Sequence, residues 1–386
     1  MKQGWTYKKL GEVTTKICDG SHNPPHGVDY SDYPMLSSKN IFFDRYDYES
    51  PRYLSKEDFE IEDKRTNVSD GDVLLTIVGT VGRTCCVQAP YTPFTLQRSV
   101  AVLKPKMEML TSRFLMYSLH SLSALWEAEA KGVAQKGVYL KQVANIQIPI
   151  PAIEEQQQIV AELDLLSGMI EKQKAQIEEL DKLSQSIFYD MFGEYADDTP
   201  VSKYISNLAG GKSLAGKIEC ENKVLKTGAV TFDYFNGNEV KYLPVDYIPL
   251  PEHLVKDGDV LVSRMNTPEL VGACAYVWQA PKNTYLPDRL WRAYLKDNIS
   301  PIYLWISLIQ PKAKEQIRSM ASGTSGTMKN ISKPKFLSVK IKGAPLSLQQ
   351  EFAAKIEAIE AMKAKVRQSL KESETLFNSR MDYYFN

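Results

Sequence analysis

The sequence is poor in the residues and segments that would announce a common class of protein. Its 386 residues include only five cysteines, Cys18, Cys85, Cys86, Cys220 and Cys274. The number is odd and none lies in a C-x-x-C pair, which argues against a disulfide framework or a zinc ribbon and leaves reduced, mostly buried thiols. There are four histidines, His22, His26, His120 and His253, and no Ser-His-Asp or Cys-His spacing recurs along the chain. Hydrolytic catalysis therefore finds no machinery here. No stretch approaches the roughly 18 uninterrupted apolar residues of a membrane helix, and Met1 to Leu10 lacks the apolar core of a signal peptide. A cytoplasmic protein with no membrane partner is expected.

Net charge is also missing: 47 Lys and Arg balance 47 Asp and Glu. A nucleic-acid binder needs cations for phosphate, so the balance argues against one until the charges are located. Residues 1–152 carry 18 basic and 17 acidic residues, and residues 194–345 carry 20 and 15. Residues 153–193 carry 3 and 9, and residues 346–386 carry 6 and 6. The excess of cations falls on the first and third segments, which can present a basic surface. The composition, 43% hydrophobic and 24% charged, is that of a folded protein.

What the sequence does contain is itself, twice. Asp70-Gly71-Asp72-Val73-Leu74 returns as Asp257-Gly258-Asp259-Val260-Leu261. The hydrophobic pattern of Met35 to Ile41 returns in Val224 to Val230, and Lys136, Val138, Ile146 and Ile148 match Lys329, Ile331, Val339 and Ile341 at an offset of 193, half the chain. The offset drifts only inside the first and third segments, as loops gain and lose residues.

Each of those segments is followed by a long helical pattern. Ile159, Leu163, Leu166, Ile170, Gln173, Ile177, Leu180, Ser184, Ile187 and Met191 keep a 4-3-4-3 spacing, the seam of a coiled coil. At an offset of 193 the seam reads Phe352, Ile356, Ile359, Lys363, Val366, Leu370, Ser373, Phe377, Arg380 and Tyr384. Pro149 and Pro151 precede the first helix, Gly193 stops it, and Ser347 with Gln350 predicts a capping box for the second. Each helix should run about 38 residues, ~57 Å. Asp70-Gly71 and Asp257-Gly258 predict turns leading into strands at Asp72 to Val78 and Asp259 to Ser263. Apolar periodicity predicts helices at Ser112 to Ala130 and Pro301 to Met320. The expected fold class is α+β: two α/β domains in tandem, residues 1–152 and 194–345, each followed by a spacer helix, residues 153–193 and 346–386. The helices are expected to pair as an antiparallel coiled coil with pseudo-two-fold symmetry.

Three short motifs suggest chemistry and are set aside. Asn23-Pro24-Pro25-His26 is like the N-P-P-aromatic motif of amino-methyltransferases, but histidine replaces the stacking aromatic and no glycine-rich cofactor turn stands near. Cys18, His22 and His26 are spaced four apart, yet Asp19-Gly20 and Pro24-Pro25 forbid the helix that would align them on a metal. Gly210-Gly211-Lys212-Ser213 lacks the preceding glycine of a phosphate-binding loop.

A wider pattern remains. Cys18-Asp19-Gly20-Ser21-His22 with Pro25, Asp70 to Leu74 with Gly79 and Gly82, Gly132 with Gln135 to Val138, and Pro149-Ile150-Pro151 stand in order before Glu155-Gln156-Gln157-Gln158-Ile159-Val160. In the second half stand Gly210-Gly211, Arg264 to Pro268, Gly326 to Ile331 and Leu348-Gln349-Gln350. In this order and duplication the chain resembles the specificity subunit of type I restriction-modification enzymes. Leu348 replaces the usual acidic residue before the second glutamine pair, and Lys363 and Arg380 interrupt the second seam.

The resemblance implies a non-catalytic subunit with two target-recognition domains, each reading one half of a bipartite, asymmetric double-stranded DNA site. Its partners would be two methyltransferase subunits, which carry S-adenosylmethionine and methylate adenine N6, and restriction subunits using ATP and Mg where a system has them. The chain itself would hold no cofactor and no metal. Basic and amide residues in loops are the expected DNA contacts: Lys39, Arg83, Arg98 and Lys136 in the first domain, and Lys212, Arg264, Asn266, Arg289 and Lys329 in the second. Arg can bond two edge atoms of guanine, Asn two of adenine, and Lys more often takes phosphate. The helix pair would be held by Ile159, Leu163, Leu166, Ile170, Ile177, Leu180, Phe352, Ile356, Ile359, Val366, Leu370 and Phe377. The competing readings are a coiled-coil scaffold that does not bind DNA and an N6-adenine methyltransferase.

Overall fold

The computed structural model describes residues 4–130, 137–325 and 328–386. The chain divides into two compact units, Met1–Ala175 with Arg367–Asn386 (unit 1) and Gln176–Val366 (unit 2). The division cuts both long helices, so each unit holds one globular part and a half of each helix.

Both units are built around a four-stranded antiparallel sheet of one topology. In unit 1 the strands are β1 (Thr14–Asp19), β2 (Val73–Thr76), β3 (Thr84–Cys86) and β4 (Val100–Pro105), in the order β1-β4-β2-β3. In unit 2 they are β5 (Ile205–Ala209), β6 (Val260–Ser263), β7 (Cys274–Tyr276) and β8 (Leu290–Leu295), in the order β5-β8-β6-β7. The central strands are continuous apolar runs because both faces of the sheet are covered. Val73 and Leu75 pack with Phe114 and the long-helix residues Ile159 and Leu163, whereas Leu74 packs on the opposite face with Leu36 and Leu96. Val260 and Val262 pack toward Tyr303 and Phe352, and Leu261 toward Leu225 and Leu286. Burying each such side chain stabilises the fold by about 1.5–3 kcal/mol. The second layer is also repeated. Arg52–Tyr53, Pro34–Leu36 and Thr95–Leu96 form one small sheet, and Val240–Tyr242, Lys223–Leu225 and Thr284–Tyr285 form its counterpart, each with one antiparallel and one parallel pairing. Gly71 and Gly258, at φ of +84° and +87°, make the turns that open β2 and β6.

The two expected shorter helices are each broken. In unit 1, α1 (Ser112–Ser121) gives way at Leu122 to α2 (Ser123–Ala130). The long helix α3 spans Ile153–Phe192. In unit 2, α4 (Pro301–Ile309) ends before α5 (Pro311–Met320), because Pro311 has no N–H to continue a helix and forces Gln310 into an extended conformation. The second long helix, α6, spans Leu346–Phe385. Both long helices have 40 residues, ~60 Å. Among the described residues no helix is long and apolar enough to cross a membrane.

The N-terminus of α6 differs from the expected capping box. The helix begins at Leu346, which places Ser347 inside the first turn rather than at the cap. Gln349 ties that end to the globular part instead. It is fully buried; its Nε2 donates to the Ala344 carbonyl at 2.8 Å and its Oε1 accepts from the Ser300 N–H, the cap residue of α4, at 2.9 Å. Gln156, 193 positions earlier, does the same in unit 1. Its Nε2 donates to the carbonyls of Met109 and Pro151, and its Oε1 accepts from the N–H of Thr111, the cap residue of α1. Gly193 follows the last residue of α3 and donates its N–H to the Tyr189 carbonyl at 2.7 Å.

Every seam position is buried or half-buried. In unit 1, Ile159, Leu163, Leu166 and Ile170 are buried in one cluster with Phe377, and Leu370 packs against it. In unit 2, Phe352, Ile356 and Ile359 are buried with Leu180 beside them, and Ile177 and Val366 are half-buried. The two charged interruptions are neutralised where they stand. Lys363 reaches Asp181 at 2.6 Å and pairs with Glu360. Arg380 bonds Glu162, which also accepts from the Tyr384 hydroxyl. Those two donors hold the Glu162 carboxyl below the usual glutamate range.

Candidate nucleic-acid interface

In unit 1, β4 pairs antiparallel with both β1 and β2, so the C-terminal ends of β1 and β2 and the N-terminal end of β4 meet at one end of the sheet. The loop after β1 is fixed there by a close backbone approach. A Cβ on Gly20 would lie 2.0 Å from the Leu96 carbonyl oxygen, so no larger residue fits. Ser21 donates its N–H to that oxygen at 2.7 Å, and Arg98 donates its N–H back to Ser21 O at 2.9 Å. The buried Asp19 carboxylate accepts from Arg65 and contacts His22 Nε2 at 2.8 Å, which aims the imidazole. These residues line a cleft of about 350 Å³ with Arg98, Val78, Val138 and Tyr139.

Unit 2 repeats the construction with other side chains. β8 pairs antiparallel with β5 and β6, and a Cβ on Gly211 would lie 2.0 Å from the Leu286 carbonyl oxygen. The backbone links correspond. Ile77 donates to Ser99 O and receives from Val138 in unit 1, and Arg264 donates to Arg289 O and receives from Ile331 in unit 2. Arg264 therefore stands where unit 1 has Ile77, and Arg289 where it has Ser99.

The expected contacts gather at these sheet ends. Lys39 is exposed in a turn joined to the end of β4 by a 3.0 Å bond from Ser38 N–H to Ser99 Oγ. Arg98, Lys212 and Arg289 are exposed. Arg264 is half-buried with its guanidinium 5.6 Å from the Trp291 ring, and Asn266 pairs across strands with the half-buried Lys329. Asn266 Oδ1 accepts from the N–H of Thr267, and its buried Nδ2 has no partner. Arg83 lies at the same end but is turned inward, donating to the Ile41 carbonyl at 3.2 Å and resting 5.2 Å from the Phe42 ring, which is a structural use of its charge. Lys136 falls outside the described residues. His22 and Arg65, which sequence reasoning did not select, also line the cleft at this sheet end, and the Asp19 to His22 motif was the available signal.

The motifs set aside have structural explanations. Arg52 Nη1 donates to the carbonyls of Pro24 and Pro25, at 3.3 and 2.6 Å, and so holds the Asn23 to His26 loop. Cys18 sits in β1, where burial pushes its thiol up and away from the thiolate a metal needs. Among the described residues no group of three or more His, Cys, Asp or Glu is placed to hold a metal ion.

Comparison with known proteins fits this geometry. Residues 2–182 match the family described as the type I restriction modification DNA specificity domain. The type I restriction enzyme EcoKI specificity subunit of Escherichia coli is 23% identical over 93% of this chain and 82% of its own length. The MjaVIII specificity subunit of Methanocaldococcus jannaschii is 26% identical over 82% of this chain and 79% of its own. Along nearly its whole length the chain is similar to type I specificity subunits. Its fold is shared with the S subunit of a type I restriction-modification system from M. genitalium, at a TM-score of 0.60, with 14% identity, 100% of this chain and 98% of the other covered.

Proposed function

We propose that this chain is the non-catalytic specificity subunit of a type I system and reads a bipartite, asymmetric duplex DNA site, one half with the sheet end of unit 1 and the other with that of unit 2. The observation that carries the reading is the repeated construction: one strand order and one glycine-backbone approach set loops bearing Arg98 and Lys39 at one sheet end, and loops bearing Lys212, Arg264, Asn266 and Arg289 at its counterpart. The domain limits are residues 1–152 and 194–345, with 153–193 and 346–386 as spacer helices. α3 and α6 pair as an antiparallel coiled coil. In support, Glu162 meets Arg380 and Gln173 meets Ser369 in unit 1, while Asp181 meets Lys363 and Phe188 meets Phe352 in unit 2. In each unit the contacts ascend one helix as they descend the other. Such a pair carries a pseudo-two-fold relation and sets the half-sites roughly one DNA turn apart, ~34 Å.

The methylating chemistry belongs to two methyltransferase subunits that bind S-adenosylmethionine and dock on the helices and their ends. A restriction subunit with ATP and Mg joins where the system has one. The test is a genome-wide map of N6-methyladenine in cells with and without the gene. Loss of methylation at one bipartite motif supports the reading, and an unchanged map overturns it.

A further inference from the structure

The two sheet ends are chemically unequal. In unit 2 a pocket of about 290 Å³ opens at the reading end, lined by Ser213, Leu225, Lys226, Thr227, Lys241, Pro287 and Arg289. Its three cations arrive from separate elements. Lys226 and Thr227 follow the strand Lys223–Leu225, Lys241 lies in the adjacent strand Val240–Tyr242, and Arg289 precedes β8. The nearby carboxylates are engaged at the rim: Asp288 holds the Ser213 hydroxyl, and Glu239 lies 3.7 Å from Lys226 Nζ.

The corresponding positions of unit 1 follow from the shared register. Lys241 is opposite Val224 as Arg52 is opposite Met35. Lys226 follows Leu225 as Ser37 follows Leu36, and Arg289 stands where unit 1 has Ser99. Unit 1 thus has two serines in this place, and its one cation, Arg52, is committed to the carbonyls of Pro24 and Pro25. At these positions unit 2 turns three cations and the Thr227 hydroxyl into one concave surface, and the corresponding residues of unit 1 do not. A small, polar, cation-lined pocket of that kind suits a tetrahedral oxyanion, and at the DNA-reading end the oxyanion at hand is a backbone phosphate.

We propose that Lys226, Lys241 and Arg289, with the Thr227 hydroxyl, grip a backbone phosphate beside the half-site of unit 2. The grip positions the duplex there without reading sequence, and the corresponding positions of unit 1, Ser37, Arg52 and Ser99, do not repeat it. This inference rests on the DNA reading above, and it moves Arg289 from a guanine contact to a phosphate contact.

The test is quantitative binding of target duplexes by the chain in complex with its methyltransferase partner, over a range of salt. The variants are Lys241→Ala with Arg289→Ala, and the charge-keeping pair Lys241→Arg with Arg289→Lys. Neutralising one phosphate contributes a slope of about 0.9 in log affinity against log salt. The alanine pair should lower the slope by about one and weaken cognate and non-cognate duplexes by the same factor, roughly tenfold or more, with the methylated motif unchanged. The charge-keeping pair should retain the slope. Inorganic phosphate at millimolar concentration should compete weakly with the wild-type complex and not at all with the alanine pair. A wild-type slope in the alanine pair, or a changed base preference in the half-site of unit 2, would overturn the phosphate grip alone. Failure of the wild-type complex to bind any duplex specifically would overturn the DNA reading and the grip together.

Discussion

Two glycines shape the sheet ends, because each lets a loop lie directly against the backbone of a neighbouring strand. A methyl group at Gly20 or Gly211 would sit 2.0 Å from a carbonyl oxygen that cannot retreat without moving its strand. Gly20→Ala and Gly211→Ala should each destabilise by about 1–3 kcal/mol, the usual cost of overpacking. Thermal melts measure that loss, and DNA binding by the assembled complex should weaken with it. A second prediction concerns His120, whose ring stacks on Phe43 at 3.9 Å in unit 1 and whose pKa is lowered by burial. The unfolded imidazole takes a proton near its ordinary value of about 6.5, while the folded one resists until lower pH. Its contribution is therefore complete above that value and is lost as pH falls through the folded value. His120→Phe keeps the stack and removes the proton. Melting temperatures taken from about pH 7 to about pH 5 should fall less steeply in His120→Phe than in wild type, and parallel curves would refute the assignment.

At the scale of elements, the long helices depend on buried glutamines as much as on their seams. Gln156→Leu leaves the Thr111 N–H and the Met109 and Pro151 carbonyls without their side-chain partner at the junction of α3 with unit 1. A cost on the order of 3 kcal/mol follows from unsatisfied buried groups, and Gln349→Leu should do the same in unit 2. Chemical denaturation of each variant measures it. Replacing Leu163, Ile170 and Ile177 by Asp should be far more damaging, because carboxylates would enter an apolar seam. Loss of methyltransferase binding or aggregation is the expected outcome, and unchanged stability would show the seam to be misassigned.

The two long helices were legible in the sequence, since an apolar 4-3-4-3 spacing kept over 33 residues predicts a helix, and so was the repetition of the globular parts. The junctions were not. Gln156 and Gln349 stood in recognisable motifs, but the partners that tie them to the globular parts, Thr111, Met109 and Ser300, lie 45 to 49 residues away, and no local pattern reports such distances. Ser347 satisfied the local rule for a cap and lost to a helix that starts one residue earlier. Arg83 was chosen for its charge, and only the packing around Phe42 shows that the charge faces inward. Lys226 and Lys241 were missed because their pocket is assembled from strands that are neighbours in space and not in sequence.

For the whole molecule, the proposed function gives recognition and measurement to different parts: loops at the sheet ends would contact bases, and the helices would fix the distance between half-sites. Inserting four residues near Ser184, about one turn or ~6 Å of helix, should shift the unspecified spacer by roughly one or two base pairs and leave both half-sites unaltered. Sequencing the methylated sites of the insertion variant checks this. The most direct measurement is a domain exchange, in which residues 200–340 are replaced by the matching segment of a relative with a different target and N6-methyladenine is mapped across the genome. The predicted result is a new sequence in one half-site, with the other half-site and the spacer length unchanged. An exchange that rewrote both half-sites, or neither, would contradict the assignment of one half-site to each unit.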